Sequence, residues 1–202
     1  MEKQNVRLTF DDWLRARAAG IVQPIARWLS ERKLHPNTVT IMGFALTAGA
    51  AAIIATGRIR LGGAVMLVAS ATDALDGTLA RMTSQQSRFG AFLDSTLDRM
   101  SEGAVLIGLL TWFATQRMAG AAILVGLVLL GSLMVSYTRA RAEGVGYSCK
   151  VGMLTRPMRV ILLGVGMLLL WLVPVLAILA VLTWATSIQR IVHVYHESKV
   201  NP

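Results

Sequence analysis

Six apolar stretches dominate this chain and leave little choice of fold. They run over residues 39–56, 61–80, 90–113, 118–136, 160–172 and 175–192. A helix of about 20 predominantly apolar residues crosses the hydrocarbon core of a bilayer. Hydrophobic residues make up 54% of the 202 positions and charged residues only 15%, where soluble domains carry roughly 25% charged. The expected fold is all-α: an integral membrane six-transmembrane-helix bundle, with its membrane helices inside 39–192 and a single domain over 1–202. The fifth stretch is short and can begin before Pro157, because proline is tolerated in the first turn of a helix.

Orientation follows from the basic residues. Of the 20 lysines and arginines, only Arg58, Arg60 and Arg117 fall on one side of such a bundle. The rest lie in the N-terminal segment, the second and fourth loops, the adjoining helix ends and the C-terminal tail, which places both termini in the cytoplasm. Trp112 and Trp171 then sit at outer helix ends, where indole rings favour the interface. The first 38 residues are polar and charged, with no basic-then-apolar start and cleavage site, so no cleavable signal peptide is expected. The net charge of +9 lies between apolar runs. Anionic head groups and phosphate substrates are therefore better partners than nucleic acid. The lone cysteine, Cys149, has no Cys or His at metal-ligand spacing and reads as a passive loop residue.

Residues 9–33 form a separate element. Trp13, Ala16, Ile21, Ile25, Trp28 and Leu29 alternate with Arg15, Arg17, Arg27, Arg32 and Lys33 at near-helical spacing, with Pro24 as a kink. This N-terminal cytoplasmic amphipathic juxtamembrane helix either lies along the membrane surface or packs on the cytoplasmic ends of the bundle.

Acidic residues are scarce where the chain is apolar. Between residues 32 and 196 they are Asp73, Asp76, Asp94, Asp98, Glu102 and Glu143. Asp73 and Asp76 are three apart and Asp94 and Asp98 four apart, so each pair shares a helix face. The hairpin turn over 81–89 brings both pairs to one cytoplasmic depth, and a short loop makes their helices neighbours. An ionisable side chain in a membrane helix costs about 2.5–3.5 kcal/mol, and four acids together repel one another. Helix-holding Asp–Arg pairs would account for one or two of them. The set of four suits oxygen-loving Mg²⁺ or Mn²⁺. Two such ions can clamp a pyrophosphate for in-line displacement. Gly77 and Ala80 lack bulk and let a nucleotide approach the backbone, Gly90 does likewise or lets helices pack, and Arg81 can grip phosphate oxygens bidentately. Glu102 continues the face of Asp94 and Asp98 more deeply, either as a ligand or paired with a residue such as Arg99.

A basic cluster (Arg139, Arg141, Lys150, Arg156, Arg159) lies in or beside the fourth loop, and Arg190 sits near the cytoplasmic end of the last helix. Such charges often serve as solvated anchors. Arg139, Arg156 and Arg190 could instead build an anion pocket beside the carboxylates, suited to a second substrate with its own phosphate.

Taken together, Asp73-x2-Asp76-Gly77-x2-Ala80-Arg81-x8-Gly90-x3-Asp94-x3-Asp98 resembles the signature of the CDP-alcohol phosphotransferases at every position. The six-helix layout extends the likeness over nearly the whole chain. The resemblance implies a transferase of phospholipid biosynthesis in the plasma membrane, multi-pass and typically a homodimer, with its active site open to the cytoplasm. It would move a phosphatidyl group from CDP-diacylglycerol to an alcohol and release CMP. Asp73, Asp76, Asp94 and Asp98 would hold two divalent ions, Mg²⁺ or Mn²⁺, with Asp98 as general base. Asp73, Asp76, Gly77, Ala80 and Arg81 would contact the CDP-lipid. Within the family, residues 136–143, 156–159 and Gln189-Arg190 are similar to phosphatidylinositol-phosphate synthases, in which residues matching Arg139, Arg156 and Arg190 bind the phosphate of inositol phosphate. Acids usually precede both arginines of the Arg-Pro-x-Arg stretch, whereas Thr155 and Met158 stand here. Glycerol 3-phosphate therefore remains an alternative acceptor, although no Gly-Lys-x-Lys stretch is present. From other classes, a small ion transporter would place its acids near the midplane and show repeated halves, and a structural scaffold would not concentrate acids in this way.

Overall fold

The computed structural model describes residues 10–32 and 34–200, with the side chains of 10–19, 21, 73, 74 and 200 outside the description. The described residues form helices and no strand. These are α1 (Phe10–Glu31), α2 (Pro36–Ala55), α3 (Ile59–Ser70), α4 (Thr72–Met82), α5 (Arg88–Thr115), α6 (Ala119–Gly144), α7 (Arg156–Leu169) and α8 (Leu172–Val200). Among the described residues three helices, α2, α6 and α8, are long and apolar enough to cross a membrane. The N-terminal half of α5 carries Asp94, Asp98, Arg99 and Glu102, and α3, α4 and α7 are short.

Local chemistry sets the boundaries. At the start of α2, Pro36 supplies a pre-set φ and His35 Nδ1 accepts the Asn37 N–H at 3.2 Å. At α5, the Ser87 hydroxyl accepts the Gly90 N–H at 2.9 Å, a conventional N-cap bond. α7 starts at Arg156 with Pro157 in its first turn, as the proline suggests. The expected helix over 61–80 is two segments that meet at Ala71. There the Thr72 hydroxyl donates to Ala69 O at 2.6 Å. α6 continues well past residue 136, so Arg139 and Arg141 stand on a helix rather than in a loop.

The centre of the bundle is apolar. Ile54, Leu106, Leu109, Phe113, Val125, Met167, Leu176 and Leu179 are essentially inaccessible. Large apolar residues also point outward, Val68, Ile107, Ile123, Leu130, Trp171 and Val181 among them. A surface this apolar is stable only against lipid or a partner.

α2 organises the site end of the molecule by packing on α3, α4 and α5. The α2–α5 crossing is close because Gly108 has no side chain: a Cβ there would stand 2.5 Å from Ala51 O, a backbone atom. Gly108→Ala is expected to force the helices apart and destabilise the protein by about 1–3 kcal/mol, read as a lower unfolding midpoint in detergent. The α2–α3 turn uses Gly57 at φ +87°, with the Trp112 indole closed over it. α1 packs on α4. It buries Val22 and Ala26, exposes Ile25 and Trp28, and is continuous through Pro24 rather than interrupted there. Of the residues expected to form its two faces, Trp13, Arg15, Ala16, Arg17, Ile21 and Lys33 lie outside the described side chains.

Candidate active site

α4 carries Asp73, Asp76, Gly77, Ala80 and Arg81, while α5 carries Gly90, Asp94, Asp98 and Glu102. The turn between them is shorter than the sequence suggests, because α4 runs to Met82 and α5 starts at Arg88. Among the described residues that turn is not accompanied by extensive packing of α4 on α5. Each packs on α2 instead, their common support.

The carboxylates occupy unlike surroundings. Asp76 is 5% exposed and its Oδ2 accepts the Thr40 hydroxyl of α2 at 2.7 Å. Asp94 and Asp98, one turn apart, are half-buried on α5. Asp98 Oδ1 lies 2.7 Å from Arg156 Nη1, and its Oδ2 lies 3.7 Å from Arg99 Nη1. Glu102, one turn deeper, is bound bidentately by Arg159, whose Nε and Nη2 donate at 2.7 and 2.8 Å. Its partner is thus Arg159 rather than the neighbouring Arg99, which instead donates to Ser95 O at 2.5 Å.

Among the described residues no three His, Cys, Asp or Glu side chains converge on one point. Asp73 stands on α4 one turn before Asp76, its side chain outside the description. The donor chemistry fits divalent Mg²⁺ or Mn²⁺: the candidates are all carboxylate oxygens, hard ligands of the kind these ions take.

The small residues differ in role. Around Gly77 a Cβ would meet only Arg81 Nη1, at 3.9 Å, so this face of α4 is open. At Gly90 it would meet Ser87 Oγ and Asn37 Oδ1 near 3 Å, so Gly90 lets the starts of α2 and α5 come together. Arg81 is exposed and donates to Thr78 Oγ1 at 3.1 Å.

The three arginines expected to form one anion pocket have separate partners. Arg139, half-exposed, pairs with Glu143 at 2.9 Å. Arg156 pairs with Asp98. Arg190 is buried on α8 and donates from Nε to Val151 O at 2.9 Å and from Nη1 to Val135 O. It thereby ties α6, the 145–155 loop and α8 together. Gly152, at φ +150°, keeps the loop close to its guanidinium. Cys149, in the same loop, is fully buried.

Sequence reasoning did not single out Thr40, nor the pairing of Arg159, a member of the basic cluster, with Glu102. Thr40 lies 36 positions from Asp76 and Arg159 57 from Glu102, so no local spacing reveals either bond.

Comparison with known proteins agrees with the motif. The family model of CDP-alcohol phosphatidyltransferase matches residues 33–189. The chain is 37% identical over 184 residues to the archaetidylinositol phosphate synthase of Methanothermobacter thermautotrophicus, covering 88% of this chain and 90% of that protein. It is 35% identical over 150 residues to the phosphatidylinositol phosphate synthase of Corynebacterium glutamicum, covering 73% and 68%. The crystal structure of Mycobacterium tuberculosis phosphatidylinositol phosphate synthase with CDP-DAG bound superposes with a TM-score of 0.81 at 36% identity, covering 88% of this chain and 94% of that one. The same enzyme in complex with manganese and citrate gives 0.79 at 33% identity, covering 86% and 88%. With model and relatives spanning most of its length, this chain belongs to the CDP-alcohol phosphatidyltransferase family. It is an enzyme of that class, and the transporter and scaffold readings fall away.

Proposed function

We propose that this enzyme transfers the phosphatidyl group of CDP-diacylglycerol to inositol phosphate, giving phosphatidylinositol phosphate and CMP. One observation carries the reading of the site: Asp98, the last aspartate of the motif, and Arg156 are a single hydrogen bond apart, 2.7 Å. A phosphorylated alcohol presents a nucleophilic hydroxyl and a phosphate on one small molecule. A base and a phosphate-binding guanidinium side by side suit both ends of it. The names of the relatives favour inositol phosphate over glycerol 3-phosphate as that alcohol.

In the proposed reaction Asp98 accepts the proton of the attacking hydroxyl. The hydroxyl oxygen forms a bond to the phosphorus that carries diacylglycerol, the diphosphate P–O bond breaks, and CMP leaves. Asp73, Asp76, Asp94 and Asp98 would hold two divalent ions, Mg²⁺ or Mn²⁺. When bound, these supply neutralisation of the diphosphate charge and polarisation of its phosphorus. The open face of α4 at Gly77 and Ala80 admits the CDP-lipid beside Asp73 and Asp76, and Arg81 can turn from Thr78 to its phosphates. Arg156 holds the acceptor phosphate, with Arg139 and Arg190 adding positive charge beside it. Thr40 orients Asp76 from behind. Thr40→Val keeps the shape and removes the donor, and is expected to raise the cation concentration for half-maximal activity about tenfold or more, as loss of a ligand-orienting partner does.

The bundle reads as six crossings in the plasma membrane, with α3 and α4 together making the second, and both termini and the site at the cytoplasmic face. α1 serves as a juxtamembrane wall of the site, the chain 1–202 as one domain, and the working unit as a homodimer. The acceptor assignment is tested by following CMP release from CDP-diacylglycerol with Mg²⁺ and inositol phosphate, glycerol 3-phosphate or unphosphorylated inositol. Release with inositol phosphate alone is the expected result. Release with glycerol 3-phosphate alone would transfer the assignment to that acceptor.

A further inference from the structure

Asp98 and Glu102 stand one turn apart on α5, and Arg156 and Arg159 one turn apart on α7. The pairs meet rung for rung, Arg156 to Asp98 at 2.7 Å and Arg159 to both oxygens of Glu102 at 2.7 and 2.8 Å. Among the described residues the backbones of α5 and α7 are not packing partners: α5 packs on α2 and α6, and α7 on α3 and α8. A largely apolar cavity, whose lining includes Ser101, Glu102 and Leu106 of α5 and Arg156, Arg159 and Leu163 of α7, lies between them. The side-chain rungs span that gap.

The two rungs differ in burial. The side chains of Arg156 and Asp98 keep 22% and 15% of their exposure, against 3% and 9% for Arg159 and Glu102. A buried ion pair adds little stability over apolar residues of similar volume, although breaking one is costly. What this pair contributes is register. A slide of α7 by about 1.5 Å, the rise of one residue, would break the bond between Arg156 and Asp98.

We propose that Glu102 and Arg159 are positioning residues that set the height of the α7 N-terminus against α5 and so aim Arg156 at Asp98 and the acceptor phosphate. This rests on the reading of Arg156 given above. Replacing the whole pair, Glu102→Leu with Arg159→Met, separates positioning from stability. The double variant is expected to fold, to keep its KM for CDP-diacylglycerol within about twofold, and to raise the KM for inositol phosphate about tenfold, a loss confined to one substrate. Arg159→Lys, which keeps the charge and loses the two-pronged grip, is expected to raise the same KM by a smaller factor. Where turnover is weak, calorimetric titration with inositol phosphate gives the same ratio.

A pair that merely holds the fold would return wild-type kinetics in the folded double variant, and that result overturns the proposal. So do equal rises in KM for both substrates. Arg156→Ala, measured alongside, keeps the two readings apart. An unchanged acceptor KM there overturns the assignment of Arg156 itself. A rise there with wild-type values in both pair variants overturns the positioning role alone.

Discussion

Asp98→Asn is expected to abolish turnover, with CMP release falling by about 10²–10⁴-fold, the usual contribution of a positioned general base. Binding of CDP-diacylglycerol should survive. Asparagine has nearly the volume of aspartate and keeps a carbonyl oxygen for Arg156, so the contact now made at 2.7 Å retains an acceptor. It cannot take a proton, and it removes one negative charge from the carboxylate set. Asp76 is the useful contrast, because it is buried on α4, accepts a hydrogen bond from Thr40 and is assigned to the donor side. Asp76→Asn should weaken cation and CDP-lipid binding as well as turnover. Parallel measurement of CMP release and CDP-lipid binding checks the division. Asp98→Asn with a tenth or more of wild-type turnover would remove Asp98 from the role of base.

Arg159→Met, made alone, is expected to destabilise the protein by about 3–5 kcal/mol, the cost of stranding one member of a buried ion pair. Glu102 would be left as a carboxylate of 9% exposure after losing both of its bonds to Arg159. The double variant with Glu102→Leu removes the stranded charge and should recover most of that stability. Unfolding midpoints in a single detergent give the comparison. A single variant as stable as wild type would mean that water or another cation reaches Glu102, contrary to its burial. The stability of the single variant and the acceptor KM of the double variant thus report different properties of one pair.

The framework was legible where apolar runs alone specify it. α2, α6 and α8 read directly as long apolar segments, and Pro157 marked the start of α7. The break at Ala71 was not legible, because no proline or glycine between residues 64 and 76 marks it. The shared support of α4 and α5 on α2 was not legible either. A short turn limits how far apart two helix ends can be, whereas packing on α2 decides where the helices go.

At the site, spacing identified which residues share a face, since i, i+3 and i+4 are neighbours on any helix. It could not choose partners across the bundle. Glu102 had Arg99 three residues before it and bonds Arg159 instead. Arg190, placed with the acceptor arginines, also donates to the carbonyls of Val135 and Val151, partners that no spacing indicates. Both outcomes follow from burial. A guanidinium shut away from water needs acceptors for its N–H groups, and the nearest ones in space are supplied by other helices and the 145–155 loop.

The mass of the lipid product tests the central claim most directly. Purified protein would be incubated with CDP-diacylglycerol, Mg²⁺ and inositol phosphate, and the lipid extract analysed by mass spectrometry. The expected product keeps the acceptor's own phosphate beside the transferred one and therefore carries two phosphorus atoms, with one CMP released per lipid formed. A lipid product with a single phosphorus, or CMP release without any new lipid, would contradict the assignment.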